Sequence, residues 1–353
     1  DSVLDEALHR NHIDRMNLDA MMDAARDAFP DFRRYFRAKA KALGIPELAW
    51  YDLFAPPTAN ERTWPWDEAI EFVFEQFGTY SRPMRELAER SVSERWIDVA
   101  PRPGKVGGAF CMPAGLEESR VLLNFTPAFD GVSTLAHELG HAYHNLCQME
   151  TPVLQRMSTP MTLAETASTF CETILRKAAI ATGSEDEAFS ILEGSLQDAA
   201  QTIVDITSRF LFEQAVIERR ASRTLSSDEF CEIMLDAQRQ TYGNGLDPDA
   251  LHPYMWAAKS HYYSSSSAYY NYPYMFGLLF GLGLYAKYTE DPDGFRVRYD
   301  QLLASTGSAD AATLASEFGY DVRSREFWDA SLDVIRADIN AFVAIVDRRD
   351  PDV

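Results

Sequence analysis

Cysteine is scarce here: four residues in 353, far apart and without a C-x-x-C pair. That spacing indicates neither a disulfide framework nor a thiolate metal site, and it suits a reducing interior. Long apolar runs are also lacking. The longest, "MFGLLFGLGLYA" at 275–286, is too short to span a bilayer, and its three glycines predict a buried helix packed closely on its neighbours. Basic charge is in short supply, with 33 Lys and Arg against 54 Asp and Glu, a net charge of −21. A surface of that sign repels phosphate backbones and anionic lipid heads, so neither nucleic acid nor a membrane is expected as a partner. No Gly/Ser linker, repeat or low-complexity tract divides the chain, and no secretory leader opens it; with the unpaired cysteines this predicts a cytoplasmic protein.

What is present reads as a mainly α-helical globular chain, with 46% hydrophobic and 12% aromatic residues. Helical periodicity runs through "WDEAIEFVFEQF", "SRPMRELAERSVSERW", "DEAFSILEGSLQDAAQTIVDITSRFLFEQAVIERR" and "SREFWDASLDVIRADINAFVAIV". Residues 1–27 read as one acidic amphipathic helix, and "FAPPTANERTWP", 54–65, as a loop between helical subregions. Two short runs break the pattern. "KVGGAFCM" and "RVLLNF" read as strands of a small sheet just upstream of the next feature, and Gly107, Gly108 and Ala109 would let an extended ligand approach one of them.

That feature is "TLAHELGHAYH", 134–144, which holds three of the seven histidines. His137, Glu138 and His141 form H-E-x-x-H. On a helix, residues four apart share a face, so both imidazoles can reach one zinc ion while Glu138 touches a water on the metal without binding it. The segment from Asp130 to Cys147 contains no proline, and Asp130 is a plausible N-cap. Gly140 is the weak helix former within it, which predicts the close approach of another helix or of substrate. His144 shares a face with His141 but lies about two turns from His137, so it suits a supporting or core role better than coordination.

A third ligand must come from a second element. Metzincin spacing fails, since His144 and Cys147 stand where glycine and histidine are required. Glu150 falls in the turn leaving the helix. Glu165 and Glu172 lie seven apart in "MTLAETASTFCETILRKAA", read as one helix with Thr162 near its start, and so face the same way. One would bind metal and the other orient a histidine, and spacing does not choose between them.

"TLAHELGHAYH" followed by "LAETASTFCE" resembles the M3 family of zinc metallopeptidases, in particular its oligoendopeptidase F branch. "RYFRAKAKALG", "WYDLFAP", "RWIDVAPRPGKVGGAF", "VLLNF" and "HPYMWAAKSHYYSSSSAYYNYPYMFGLLFGLGLYAKY" extend the likeness over about residues 30–345. The resemblance implies a zincin-type helical fold with a small sheet beside the active-site helix. It implies one Zn²⁺ per chain held by His137, His141 and Glu165, Glu138 as general base, Glu172 and His144 supporting the ligands, and hydrolysis of internal bonds in short peptides. It also implies that 1–353 is a catalytic region without the family's N-terminal helical region, and so a fragment, a processed product or one part of a split polypeptide, in the last case with that region as a separate partner. Residues 1–100 would form a helical lobe portion, and 101–353 the zinc-site and substrate-channel portion.

The segment "HYYSSSSAYYNYPY", 261–274, combines a histidine, six tyrosines and a serine run. Attack on a peptide carbonyl builds negative charge on oxygen, which O–H or N–H donors must meet. The resemblance assigns that task to His261 and nearby tyrosines, with Tyr270 and Tyr272 favoured, Tyr263 next, and Tyr274 contacting substrate.

Overall fold

The computed structural model describes residues 2–57, 62–115, 117–157, 159–264 and 266–349. Helices dominate, and the described strands form one three-stranded sheet. The chain divides into two compact units, each gathered from separated stretches. Unit 1 comprises Asp1–Ala59, Leu192–Phe276 and Val322–Val353; unit 2 comprises Asn60–Ile191 and Gly277–Asp321. The first change of unit falls inside the proline-rich stretch 54–65, of which 58–61 lie outside the described residues.

In unit 1 the acidic segment expected as one helix is interrupted. Val3–Arg10 ends at Asn11, His12 takes a left-handed φ of 53°, and a new helix, Arg15–Leu43, begins after Asp14. The Asp14 side chain accepts the Asn17 N–H, and the Asn17 side chain accepts the Asp14 N–H. A left-handed residue cannot continue a helix, and a reciprocal cap stabilises the restart by about 1 kcal/mol. Arg15–Leu43 packs along Arg325–Arg349. The ion pairs Asp27–Arg325, Asp31–Arg336 and Lys41–Asp347 climb both helices in the same order, so the two run parallel. Such pairs add little; the seam is held by buried apolar groups, with the Tyr35 and Phe342 rings 5.4 Å apart.

Unit 2 is organised around two packed helices, Phe129–Cys147 and Thr166–Thr182. A Cβ on Gly140 would lie 2.7 Å from the Ser168 Cα, so glycine is what lets these helices approach. Gly277, from the apolar run, meets the same region: a Cβ there would lie 3.0 Å from the Glu165 Cβ. Beside them sits the sheet, with β1 Ile97–Asp98, β2 Phe110–Pro113 and β3 Ser119–Leu122 in the order β1-β3-β2. β3 pairs parallel to β1 and antiparallel to β2, which leaves β2 at an edge. Among the described residues no helix is long and apolar enough to cross a membrane.

Candidate metal centre

The helix carrying the motif starts one residue before Asp130. Ala128 occupies the N-cap position without a side-chain bond, and Asp130 stands in the first turn, where a carboxylate favours the helix dipole instead of capping it. From this helix His137 and His141 bring their Nε2 atoms to within 3.1 Å of each other. Glu165 completes the group, its Oε2 lying 3.2 Å from His137 Nε2 and 3.4 Å from His141 Nε2. Three donors on a tetrahedral ion with bonds of about 2.0–2.1 Å stand about 3.3 Å apart. The triangle therefore fits a zinc-sized cation, and it is the cluster among the described residues with metal-ligand geometry.

Glu165 owes its position to a break. The helix expected to run through from Met161 is interrupted: Met161–Ala164 ends at Glu165, and Thr166–Thr182 begins after it. Ser168 Oγ donates to Glu165 Oε2 at 2.9 Å, fixing the carboxylate from one turn further on. Glu172 takes the other role that spacing left open. Its Oε1 is 3.4 Å from His137 Nδ1 and accepts from Ser133 Oγ at 3.5 Å, which orients the imidazole so that Nε2 faces Glu165. Ser133 and Ser168 were not singled out in the sequence; their positions, four before His137 and three after Glu165, are the local signal.

The electrostatics favour a cation. Burial opposes charge on His137, yet Glu172 and Glu165 outweigh it and hold that imidazole's pKa well above its ordinary value. Burial likewise opposes charge on Glu165, but bonds from His137 and His141 keep its pKa below the usual carboxylate range. Such a site attracts positive charge, whether a proton or a divalent ion. Glu138 differs. It is 4% exposed, burial raises its pKa, and its Oε2 is buried with no hydrogen-bond partner among the described residues. An orphaned buried carboxylate oxygen is costly, which marks it as an acceptor built for a group that arrives during function.

Other expected residues fall elsewhere. His144 does not touch the ligands. It is buried, its Nε2 meets Thr306 Oγ1 at 2.7 Å, and burial pushes its pKa down to about 4, so it serves as a neutral core group. Gly107, Gly108 and Ala109 precede β2 instead of lying in it. Gly108 needs a φ of +79°, and the Asn124 amide donates to the carbonyls of Val106 and Gly108, each at 2.9 Å. A cleft of 560 Å³ opens on the motif helix, with Pro113, Ser119, Ala142, Asn145, Met149 and Met157 in its lining.

In unit 1, Tyr272 is 1% exposed and its hydroxyl donates to the Ala7 carbonyl at 2.9 Å, so it packs the core. Tyr263, Tyr270 and Tyr274 are exposed, and the hydroxyls of Tyr270 and Tyr274 lie 2.8 Å apart. His261 stacks on Tyr270, with centroids 5.5 Å apart, and contacts the Asn271 amide at 2.8 Å. Ser265, within the serine run, lies outside the described residues.

A largely helical chain in which two histidines of an H-E-x-x-H helix meet a glutamate from the start of a second helix has the form of a helical metallopeptidase. The profile of peptidase family M3 matches residues 1–334, and the chain belongs to that family. It is 25% identical over 350 residues to an oligoendopeptidase F homolog of Lactococcus lactis, covering 99% of this chain and 58% of that protein. It is 26% identical over 335 residues to the group B oligopeptidase PepB of Streptococcus agalactiae, covering 94% and 55%. The crystal structure of oligoendopeptidase-F from Enterococcus faecium superposes with a TM-score of 0.71 at 20% identity, covering 97% of this chain and 55% of that one. The chain thus spans a little over half the length of these relatives.

Proposed function

We propose that this chain carries the catalytic centre of a zinc-dependent endopeptidase that hydrolyses internal bonds of short peptides. The observation that carries the reading is Glu138: a buried carboxylate with an unpartnered oxygen, one residue along the helix from a ligand triangle of zinc dimensions. His137, His141 and Glu165 would hold the ion, which when bound supplies Lewis-acid polarisation of the scissile carbonyl and of an attacking water. Glu138 accepts the proton of that water and delivers it to the leaving amine; its raised pKa suits an acid as well as a base. Glu172 keeps His137 in the tautomer that presents Nε2.

The free edge of β2 offers backbone groups to an extended substrate, with the turn at Gly107, Gly108 and Ala109 at its entrance. For the oxyanion donors the reading takes His261 and the exposed phenols Tyr270 and Tyr263, with Tyr274 toward the peptide. The assignment of peptide substrates draws on the oligopeptidase relatives. A cytoplasmic setting completes the proposal.

Glu138→Gln tests it. The variant should keep one zinc per chain and lose nearly all hydrolysis of a quenched fluorogenic peptide, since the amide preserves shape without the base. Near-normal rates, or loss of zinc, would refute the role. A zinc-replete wild-type chain without turnover would favour a second reading, a peptide-binding or assembly subunit that uses the metal for stability alone.

A further inference from the structure

Unit 1 contains a charged cavity that the peptidase reading does not use. The helix Glu185–Ala200 passes into a π-helical turn, Gln201–Asp205, before Ile206–Arg220 resumes α-geometry. Turns of this kind persist mostly where they position functional groups. This one sets Gln201 and Asp205 on the wall of a 60 Å³ cavity also lined by Trp50, Gln197, Arg209 and Lys259.

The charges on that wall do not cancel. Arg209 pairs with Asp205, whose Oδ1 also accepts from the Tyr242 hydroxyl at 3.3 Å. Burial and Arg209 push the Lys259 pKa down, and Asp205, already paired with Arg209, is the carboxylate that opposes them, so two basic groups share one carboxylate on this wall. The donors are in excess as well. Arg209 Nε and Trp50 Nε1 are buried without partners among the described residues. Gln197 gives its oxygen to Lys39 Nζ at 3.1 Å, which leaves its N–H₂ end as a donor.

We propose that this cavity binds one monovalent anion, a halide or a small carboxylate such as formate, held by Lys259 and the N–H groups of Arg209 and Trp50. Volume excludes larger ligands, since organic molecules take pockets of about 300–1,000 Å³, while 60 Å³ admits an ion with a few waters. Water alone would satisfy the donors but leave the surplus positive charge unbalanced. The ion also bears on His261. Burial, then Arg209 and Lys259, push its pKa down to about 4; it also meets the Asn271 amide and the rings of Tyr262 and Tyr270. An anion beside the two cations raises the His261 pKa.

Bromide anomalous diffraction on crystals of the whole chain, with melting curves at constant ionic strength in chloride, formate and gluconate, tests the proposal. We expect one bromide peak in the cavity and a saturable rise in Tm with chloride or formate but not with the bulkier gluconate. Bromide displacement by formate identifies a carboxylate-tolerant site, and its failure a halide site; both support the proposal. Lys259→Met and Trp50→Phe, the second keeping an aromatic ring while removing the N–H, should each weaken the anion at least tenfold. The His261 imidazole, followed by NMR, should titrate higher in chloride. Absence of a bromide peak, equal Tm responses to all three salts, or an unchanged response in Lys259→Met would overturn it.

Discussion

Replacing Gly140 with alanine would put a methyl carbon 2.7 Å from Ser168 Cα, 2.8 Å from the Ala167 carbonyl oxygen and 2.9 Å from Ser168 N. Ordinary contacts lie at about 3.5–4.0 Å, so the shortfall is about 1 Å. All three obstacles are backbone atoms, and none can rotate aside. The helices Phe129–Cys147 and Thr166–Thr182 must therefore separate or tilt. Alanine gains about 1 kcal/mol of helix propensity, and overpacking costs about 1–3 kcal/mol, so the net loss of about 0–2 kcal/mol leaves a domain of ordinary stability folded.

The metal centre is less tolerant. His141 adjoins Gly140 on one helix, and Ser168 fixes Glu165 at the start of the other, so separation acts directly on the 3.2 and 3.4 Å spacings of the triangle. Metal sites tolerate about ±0.2 Å in ligand distance. Gly140→Ala should thus lower zinc affinity at least tenfold, measured by chelator competition, while Tm falls by a few degrees. Gly194→Ala is the control, because a Cβ there meets nothing within 4 Å and lies inside the helix Glu185–Ala200. It should raise stability by up to about 1 kcal/mol without touching metal affinity. If Gly140→Ala gains stability as Gly194→Ala does and binds zinc normally, the close-approach argument is wrong.

Glu165→Ala should strip zinc, whereas Glu172→Ala should weaken it about tenfold to a hundredfold, as metal analysis during chelator titration would resolve; the reverse order would invert the assignment. Tyr270→Phe should lower kcat by about a hundredfold to a thousandfold with Tm unchanged, while Tyr272→Phe, which loses its bond to the Ala7 carbonyl, should lower Tm and leave kcat intact. Glu213, whose carboxylate accepts the N–H of the left-handed Tyr269 at 2.8 Å, has its pKa raised by burial to about 7. Because the folded value exceeds the unfolded one, folding favours the protonated acid, and stability is lost as pH rises from about 4.5 through about 7, by at most ~3 kcal/mol. Glu213→Gln should flatten that slope and raise Tm at pH 8; an unchanged pH profile would show that Glu213 titrates normally.

What the sequence makes legible here is what a single helix turn can encode. The spacing of His137 and His141 fixes a shared face, and that of Glu165 and Glu172 does the same on a second helix. The choice between the two glutamates is not local. It depends on the break at Glu165, which turns its carboxylate toward both Nε2 atoms and leaves Glu172 behind Nδ1. Tyr270 and Tyr272 stand two apart in one aromatic run, yet one is exposed and the other is bonded to Ala7. Composition cannot separate them, because the contact that buries Tyr272 spans more than 260 positions. The same holds for the cavity in unit 1, whose lining comes from residues 35–36, 50–54, 197–209, 242 and 259.

Glycine is the exception to that limit. A residue that weakens a helix in isolation must be compensated by something outside it, so a mid-helix glycine reports a long-range contact even though the partner is unknown. Gly140 carried that expectation and meets the backbone of Ala167 and Ser168. Gly277 and Gly281, in the apolar run, meet the Glu165 and Thr169 side chains from another helix. The Thr166–Thr182 helix and the ligand just before it are therefore approached at glycines by two neighbouring helices. Glu165 is held by its own backbone break, by Ser168 and by the wall at Gly277, which gives the third ligand the rigidity that the two histidines obtain from sharing one helix.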